Sequence, residues 1–381
     1  MQGEEPMDGQ RRNQTADNTS ARLETPLFGK SSLQNVGPGN RVAGDSTKTF
    51  VRFDSPESRA ASTSRVREQP KVVQMPLTPE CEERSLELFS DVGGPVEQLT
   101  FLQRSLLFAE LAMIAYNDSE EATLAAKAVG FPDVTFFDHD GSQAYRFRNN
   151  YDCIIACRGT EPNEWNDIRA DVSASAVLAE TVGRVHRGFK REVDDLWPML
   201  ETALVDNRQP LWFCGHSLGG AMATICAGRC FLSHINSNPS GLYSYGSPRV
   251  GNRRYINFVQ LEHFRFVNNN DVVARVPPVW MGYRHCGTEV YLDRRGRIGD
   301  LSGWARRLDG WRGFWAGLIR GQIDHFSDHL LHAYIRPLWK AALAEQVAVG
   351  RGSSSPDASE FRDTHRNVSP TVHGGSLPPA R

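Results

Sequence analysis

The amino-acid sequence predicts the α/β class, with a mostly parallel central sheet flanked by helices and a disordered tail at each end of the chain. Short apolar runs of strand length alternate with longer segments of helical periodicity, such as residues 105–116 and 189–205. One apolar run, 211–214, leads into Gly-x-Ser-x-Gly and then a small-residue helical pattern. The predicted strands are residues 145–147, 153–157, 211–214, 242–245 and 264–267.

The limits of the predicted domain are where apolar periodicity begins and ends. Residues 1–76 are rich in Ser, Gln, Asn, Arg and Gly and show no apolar period, so they have little surface to bury and are predicted to be disordered. Residues 347–381, with Ser-Ser-Ser-Pro and Gly-Gly segments, are predicted to be a second disordered tail. Residues 77–346 then form one α/β domain, which 381 residues of 40% hydrophobic content can support.

Composition excludes several classes of function. A formal net charge of −2 gives no argument for nucleic-acid binding. No apolar stretch has the length of a signal peptide or a membrane span, and the odd count of seven cysteines favours free thiols in a reducing compartment, so we expect a cytoplasmic protein. No Cys/His spacing indicates zinc, and no phosphate-binding loop or dinucleotide fingerprint is present, so no metal or cofactor is expected. The sequence does not indicate an oligomeric state.

Residues 211–220 are typical of a strand, a sharp turn that carries a nucleophile, and a helix. In such a turn the serine adopts a strained backbone conformation, so the residues two positions away, Gly215 and Gly219, must lack side chains. The N-terminus of the following helix directs backbone N–H groups toward the serine, where negative charge develops during acyl transfer. Ser217 is therefore the candidate nucleophile.

A serine nucleophile needs a base and an acid that orients the base. Asp271 follows the predicted strand 264–267 and so lies at its carboxyl end, although an aspartate there is also a common turn residue. A cluster of histidines follows, in which His329 is the first candidate base, His325 the second and His332 the third. The order Ser, Asp, His along the chain is that of α/β-hydrolases. His186 precedes the nucleophile, so we interpret it as structural.

Five motifs occur in a fixed order between residues 158 and 278. They are Arg-Gly-Thr at 158–160, Val-His-Arg-Gly-Phe at 185–189, Gly-His-Ser-Leu-Gly-Gly at 215–220, Tyr-Gly-Ser-Pro-Arg-Val-Gly-Asn at 245–252, and the segment 268–278 that ends in Pro-Pro. With these motifs the chain, over roughly residues 80–340, resembles the class 3 lipase family of fungal-type triacylglycerol lipases, which have the α/β-hydrolase fold.

The resemblance implies a role for each matching position. Ser217 would be the nucleophile, Asp271 the acid and His329 the base, because the family's histidine is often followed five positions on by a tyrosine, here Tyr334. Thr160 would be an oxyanion-hole residue, and its backbone N–H would bind the oxyanion together with that of Leu218.

Two segments bear on contact with a membrane or lipid-droplet surface. Family lipases carry a lid after the Arg-Gly-Thr motif; here Ile168 occupies its tryptophan position, Trp165 lies a turn upstream, and the segment is polar, which argues against pronounced interfacial activation. Residues 301–323 place Trp304, Trp311 and Trp315 on one helical stripe among arginines. That stripe either packs on the core or lies on a membrane surface.

These observations predict a serine carboxylester hydrolase whose partner is a lipid ester such as an acylglycerol. A phospholipase A1 or a non-lipid esterase could use the same scaffold, since the choice between them depends on the lid and the acyl groove. A catalytically silent lipid-binding module is the alternative from another functional class. The complete set of Ser217, Asp271, His329 and Thr160 argues against that alternative.

Overall fold

A central sheet, helices on both of its faces and a smaller sheet make up the described part of the chain. The computed structural model describes residues 64–76, 84–159, 176–233, 235, 238–269, 271–293, 295–299 and 330–350, all within the compact unit 59–381. The strands are β1 (Arg65–Gln74), β2 (Ser85–Asp91), β3 (Asp133–His139), β4 (Ser142–Arg148), β5 (Cys153–Cys157), β6 (Ala176–Leu178), β7 (Arg184–His186), β8 (Leu211–His216), β9 (Pro239–Tyr245), β10 (Gly251–Asn252), β11 (His263–Asn268), β12 (Tyr283–Arg284) and β13 (Thr288–Leu292). The helices are α1 (Phe101–Ile114), α2 (Ser119–Val129), α3 (Arg187–Leu204), α4 (Leu218–Cys230), α5 (Arg253–Phe258) and α6 (Leu331–Gly350).

The central sheet has seven strands in the order β13-β11-β9-β8-β5-β4-β3. The five strands from β13 to β5 are parallel to one another, whereas β4 and β3 join antiparallel. The predicted mostly parallel sheet is thus confirmed; four predicted strands lie within longer observed ones, and the fifth, 153–157, coincides with β5. The predicted helices at 105–116 and 189–205 are confirmed as α1 and α3, with small shifts of their ends.

The sheet separates two apolar cores. Tyr145, Trp212 and Tyr243 point toward α1, α2 and α6 on one face. Ile155 and Phe213 point toward α3 and α4 on the other. Strands that are buried on both faces have continuous apolar sequences, as β5 and β8 do.

The predicted domain boundary at residue 77 is wrong, because the ordered domain begins earlier in the chain. Strand β1 lies inside the predicted tail and pairs antiparallel with β2. It also contacts α6: the Gln346 side chain accepts the Val66 N–H and donates to the Val66 carbonyl, and the Trp339 indole donates to the Arg67 carbonyl. Strand β1 is mostly exposed and has no apolar period. It is stabilised instead by backbone pairing and by contacts with the far end of the chain. Helix α6 also extends four residues past the predicted limit of 346.

A four-stranded sheet, in the order β12-β10-β7-β6, connects segments that follow different strands of the central sheet. Gly251 in β10 pairs with Arg284 of β12 on one side and with Val185 of β7 on the other. Because β10 follows β9, this small sheet begins at the carboxyl ends of the parallel strands.

Two findings concern only the residues whose placement is described. None of their helices combines the length and apolarity needed to cross a bilayer. No group of three or more His, Cys, Asp or Glu among them could hold a metal ion. The predicted positions of Cys153, Cys157 and Cys214 in core strands are confirmed, and all three are buried free thiols.

Candidate active site

Ser217 occupies the turn between β8 and α4. Its φ of 56° and ψ of −129° lie in a region that residues with a side chain rarely adopt. Its backbone N–H donates to the Tyr245 carbonyl at 2.9 Å, which fixes the turn to the end of β9. Ser217 is 2% exposed. The strained turn predicted from the pentapeptide is confirmed.

Glycines permit this turn because backbone packs against backbone around it. A Cβ atom at Gly219 would overlap the Cys157 carbonyl oxygen, and one at Gly215 would overlap the Gly219 carbonyl. A Cβ at Gly220 would lie 2.8 Å from the Ser247 Cβ. The first turn of α4 therefore packs directly on the carboxyl ends of β5 and β8.

The oxyanion region is formed where β5 ends beside the start of α4. Leu218 is the first residue of α4, so its N–H has no acceptor within the helix. A Cβ at Gly159 would overlap the Tyr116 hydroxyl and approach the His216 carbonyl oxygen to 2.6 Å. The backbone that leads into residue 160 thus lies against the nucleophile turn. Thr160 itself is outside the described residues.

Asp271 is fully buried in the turn that follows β11. Asn269, with a φ of 41°, turns the chain there, and asparagine tolerates this left-handed conformation. The Asp271 Oδ1 accepts the Val273 N–H at 2.9 Å. Its Oδ2 accepts the Tyr334 hydroxyl at 2.5 Å. The carboxylate is therefore held by one backbone and one side-chain donor.

Tyr334 connects the surroundings of the acid with those of the nucleophile. Its hydroxyl accepts the Asn268 N–H at 3.2 Å, besides donating to Asp271. Its ring lies edge-on to Tyr245 at 5.9 Å and to His216 at 6.4 Å, the residue that precedes Ser217. The structure thus brings Ser217 and Asp271 to the same edge of the sheet. In the sequence Tyr334 stands out only by its spacing from His329, and its contact with the acid was not predicted.

A second set of side chains supports the nucleophile turn from the side of β5. The His216 Nδ1 and the Tyr116 hydroxyl are 2.9 Å apart. The Arg158 guanidinium lies 5.8 Å from the Tyr116 ring centre and donates to Gln143 at 2.7 Å. Sequence reasoning missed the role of Tyr116, since nothing in the apolar segment 105–116 separates it from ordinary core residues.

The two strands on either side of β9 differ in electrostatic character. On β8, burial raises the pKa of the Cys214 thiol, so this thiol stays neutral. On β11, burial and the nearby Arg265 guanidinium lower the pKa of His263 to about 3. Arg265 pairs with Glu289 at 2.6 Å. The strand that leads to Asp271 therefore carries buried ionisable groups.

Several predicted site residues are outside the described residues: His329, His325, Trp165, Ile168 and the tryptophan-rich segment 301–323. The third candidate base, His332, is exposed in the first turn of α6. His186 is buried in β7, where its ring stacks on Phe189 at 4.1 Å between centroids. That packing agrees with a structural histidine.

Residues 154–281 match the family model described as "Lipase (class 3)". This span contains Ser217 and Asp271 and ends in the turn after the Pro-Pro pair. The resemblance inferred from the five motifs is thereby confirmed.

Curated relatives and a solved structure were also found. A secreted mono- and diacylglycerol lipase 1 of Fusarium solani is 46% identical over 117 residues, which is 29% of this chain and 34% of that protein. A secreted mono- and diacylglycerol lipase A of Penicillium cyclopium is 32% identical over 180 residues, 45% of this chain and 58% of that one. The chain thus spans about a third to three-fifths of these relatives.

Among solved structures, a Rhizomucor miehei triacylglyceride lipase aligns at 22% identity and a TM-score of 0.45, over 52% of this chain and 82% of the other. The strand order, the parallel register and the nucleophile turn are those of an α/β-hydrolase, so the expected fold is confirmed.

Proposed function

We propose that this protein, whose residues 154–281 belong to the class 3 lipase family, is a serine carboxylester hydrolase that acts on acylglycerols or related lipid esters. The observation that carries the proposal is the turn at Ser217. This buried serine keeps a positive φ, which is a strained conformation, between a parallel strand and a helix that packs through its glycines. Such strain is expected where a hydroxyl must project from the sheet toward a substrate.

In the first half of the reaction, the Ser217 Oγ attacks the carbonyl carbon of the ester. His329 takes the hydroxyl proton as the new C–O bond forms. The carbonyl oxygen becomes an oxyanion, which the backbone N–H groups of Leu218 and Thr160 bind. Each donor of this kind contributes on the order of 3 kcal/mol in the transition state. The oxyanion then collapses, the alcohol leaves with the proton from His329, and Ser217 is left acylated.

In the second half, water attacks the acyl group. His329 takes one proton from the water and returns it to Ser217 Oγ as the acyl–serine bond breaks, which releases a carboxylic acid. Neither half-reaction uses a metal or an organic cofactor.

Asp271 keeps the base in the correct tautomer and stabilises its charged form without taking the proton. Two observed hydrogen bonds support this role, because they leave the buried carboxylate in one orientation. Tyr334 is then a positioning residue that acts through Asp271. Its place five positions after His329, already in contact with the acid, supports His329 over the other two histidines.

The proposed substrate class has support from the relatives. Two of them are named as mono- and diacylglycerol lipases, and the matched segment contains the nucleophile and the acid. We propose contact with a lipid surface on the same ground, since long-chain acylglycerols are presented to an enzyme in aggregated form.

A fluorophosphonate probe tests the proposal, because it reacts only with an activated serine. We expect the full-length chain to be labelled and Ser217→Ala not to be labelled. Among His329→Ala, His325→Ala and His332→Ala, only the first should lose labelling. If neither wild type nor Ser217→Ala reacts, the silent lipid-binding module is the better account. If His325→Ala alone loses labelling, the base is His325.

A substrate panel distinguishes the enzyme classes. Hydrolysis of a diacylglycerol emulsion in preference to phosphatidylcholine and short p-nitrophenyl esters supports the proposal. Preference for phosphatidylcholine would assign a phospholipase A1. Activity confined to the short esters would assign a non-lipid esterase.

A further inference from the structure

An ordered turn exposes apolar side chains near the candidate site. Residues Val279–Met281 form a 3₁₀ turn in which Trp280 is 83% exposed and Val279 45%. The Met281 N–H donates to the Pro278 carbonyl at 3.0 Å, and the Gly282 N–H donates to the Val279 carbonyl at 3.0 Å. Among the described residues, Trp280 is the most exposed of the large hydrophobic side chains. The backbone is fixed, and the indole is directed away from the core.

The turn and its neighbouring strand belong to two chain segments whose charged side chains are all positive. The Arg284 Nη1 donates to the Val279 carbonyl at 2.7 Å, which places an exposed cation at the base of the turn. Strand β12 pairs with β10, and the next two residues, Arg253 and Arg254, are exposed. Segments 246–261 and 272–288 contain five arginines and no aspartate or glutamate. The surface therefore combines an apolar tip with a border of exposed arginines, for which the described part of the chain shows no salt bridge.

The turn lies on the side of the domain from which a substrate would reach Ser217. It follows β11 and Asp271, and the carboxyl ends of β8, β9 and β11 share one edge of the sheet. The Arg249 Nη1 donates to the Pro277 carbonyl at 3.0 Å, which ties the segment after β9 to the segment before the turn. An occupant of the turn would thus lie beside that edge of the sheet.

We propose that the turn Val279–Met281 is an interfacial anchor for an anionic phospholipid surface. Trp280 enters the headgroup region, where tryptophan is favoured because its ring is apolar and its N–H remains hydrated. Arg253, Arg254 and Arg284 contact the negative surface around it. The inference deepens the proposed function, on which it rests, by naming the element and the lipid charge that bring the enzyme to its substrate.

A protein partner fits this surface less well than a membrane. A stable protein interface buries about 800 Å² on each side around a packed apolar centre. Here one three-residue turn supplies the apolar part, and the rest is exposed arginine. Negative headgroups can meet such a border at many positions without a matching shape.

Vesicle sedimentation of the full-length chain tests the anchor. We expect binding to phosphatidylcholine vesicles that contain phosphatidylserine and weaker binding to phosphatidylcholine alone. Trp280→Ala should weaken binding about tenfold, because a large apolar side chain no longer leaves water. Arg253→Gln with Arg254→Gln should weaken binding about fivefold per charge on the acidic vesicles only. Val349→Ala, at an exposed apolar residue near the end of α6, is the matched control and should bind as wild type does.

Hydrolysis of a water-soluble ester separates this proposal from the preceding one. Trp280→Ala should keep that activity and lose activity only on acidic lipid surfaces. Vesicle binding that depends on Trp280 in a chain without esterase activity would support the anchor and contradict the hydrolase. Unchanged binding by Trp280→Ala, no binding by wild type, or a Trp280-dependent dimer with unchanged vesicle binding would overturn the anchor.

Discussion

The nucleophile turn and the acid turn differ in how the chain fixes them. Around Ser217, contacts are between backbones: three glycines within six residues allow α4 to lie on the ends of β5 and β8. Around Asp271, a side chain 63 positions away donates to the carboxylate. The first turn is determined by local sequence and close packing, and the second by a long-range hydrogen bond.

The difference extends to charge. The strand leading to Ser217 carries the neutral Cys214 thiol, whereas the strand leading to Asp271 carries His263 and the Arg265–Glu289 pair. We therefore expect the nucleophile turn to respond to changes in shape. The acid turn should respond to changes in hydrogen bonding and pH.

The largest effect should come from adding one methyl group to the nucleophile turn. In Gly219→Ala the new Cβ meets the Cys157 carbonyl, so β5 and α4 must move apart. We expect a loss of about 3 kcal/mol in the free energy of unfolding. Esterase activity should fall at least about 100-fold, since a displacement near 1 Å at a catalytic group has that cost.

Gly299→Ala is the control for this change, because a Cβ there would have no described atom within 4 Å. Denaturant unfolding and ester hydrolysis check both variants. Wild-type activity in Gly219→Ala would show that the close approach of backbones does not position Ser217.

A smaller effect is expected from removing one hydroxyl at the acid turn. Tyr334→Phe removes the hydroxyl that donates to the buried Asp271, which should lower the free energy of unfolding by about 1.5–3 kcal/mol. The kcat for a soluble ester should fall about tenfold with KM unchanged, because the base loses its fixed orientation while the substrate contacts remain.

Tyr243→Phe provides the matched comparison on β9. Among the described residues the buried Tyr243 hydroxyl has no hydrogen-bond partner, so its loss should be neutral or stabilising by about 1 kcal/mol. If Tyr334→Phe changes stability but leaves kcat unaltered, Tyr334 is structural and does not position Asp271.

The smallest expected effect is on the pH dependence of the free energy of unfolding, through His263 on β11, the strand that leads to Asp271. The unfolded chain binds a proton at His263 below about pH 6.5, whereas the folded protein binds it only near pH 3. Stability from this group is therefore present above pH 6.5 and lost as pH falls toward 3, by about 1 kcal/mol over the first unit below 6.5 and about 1.4 kcal/mol for each further unit until pH nears 3. In His263→Gln the dependence of the free energy of unfolding on pH over this range should be shallower.

His139→Gln, at an exposed histidine of β3, controls for the loss of one imidazole and should keep the wild-type pH dependence. Denaturant titrations at several pH values measure both. An identical slope in wild type and His263→Gln would show that the acid strand does not carry this sensitivity.

The same contrast explains what the sequence could predict. The turn at Ser217 was predictable because its constraints lie within a few residues, in glycines that have no other reason to recur at that spacing. The contact between Tyr334 and Asp271 was not predictable from the local sequence pattern, since nothing in the sequence around either residue indicates the other. Only the family spacing drew attention to Tyr334. Strand β1 was missed for a similar reason: it is stabilised by β2 and by α6, 280 positions away, and not by an apolar period of its own.

The account depends most on Ser217 forming a covalent bond with the acyl group. Rapid quenching during turnover of a p-nitrophenyl ester, followed by digestion and mass spectrometry, tests this directly. We predict that the acyl mass is added to the peptide that contains Ser217, within the first turnover. Turnover without any acylated peptide, or with the acyl group on a residue other than Ser217, would contradict the account.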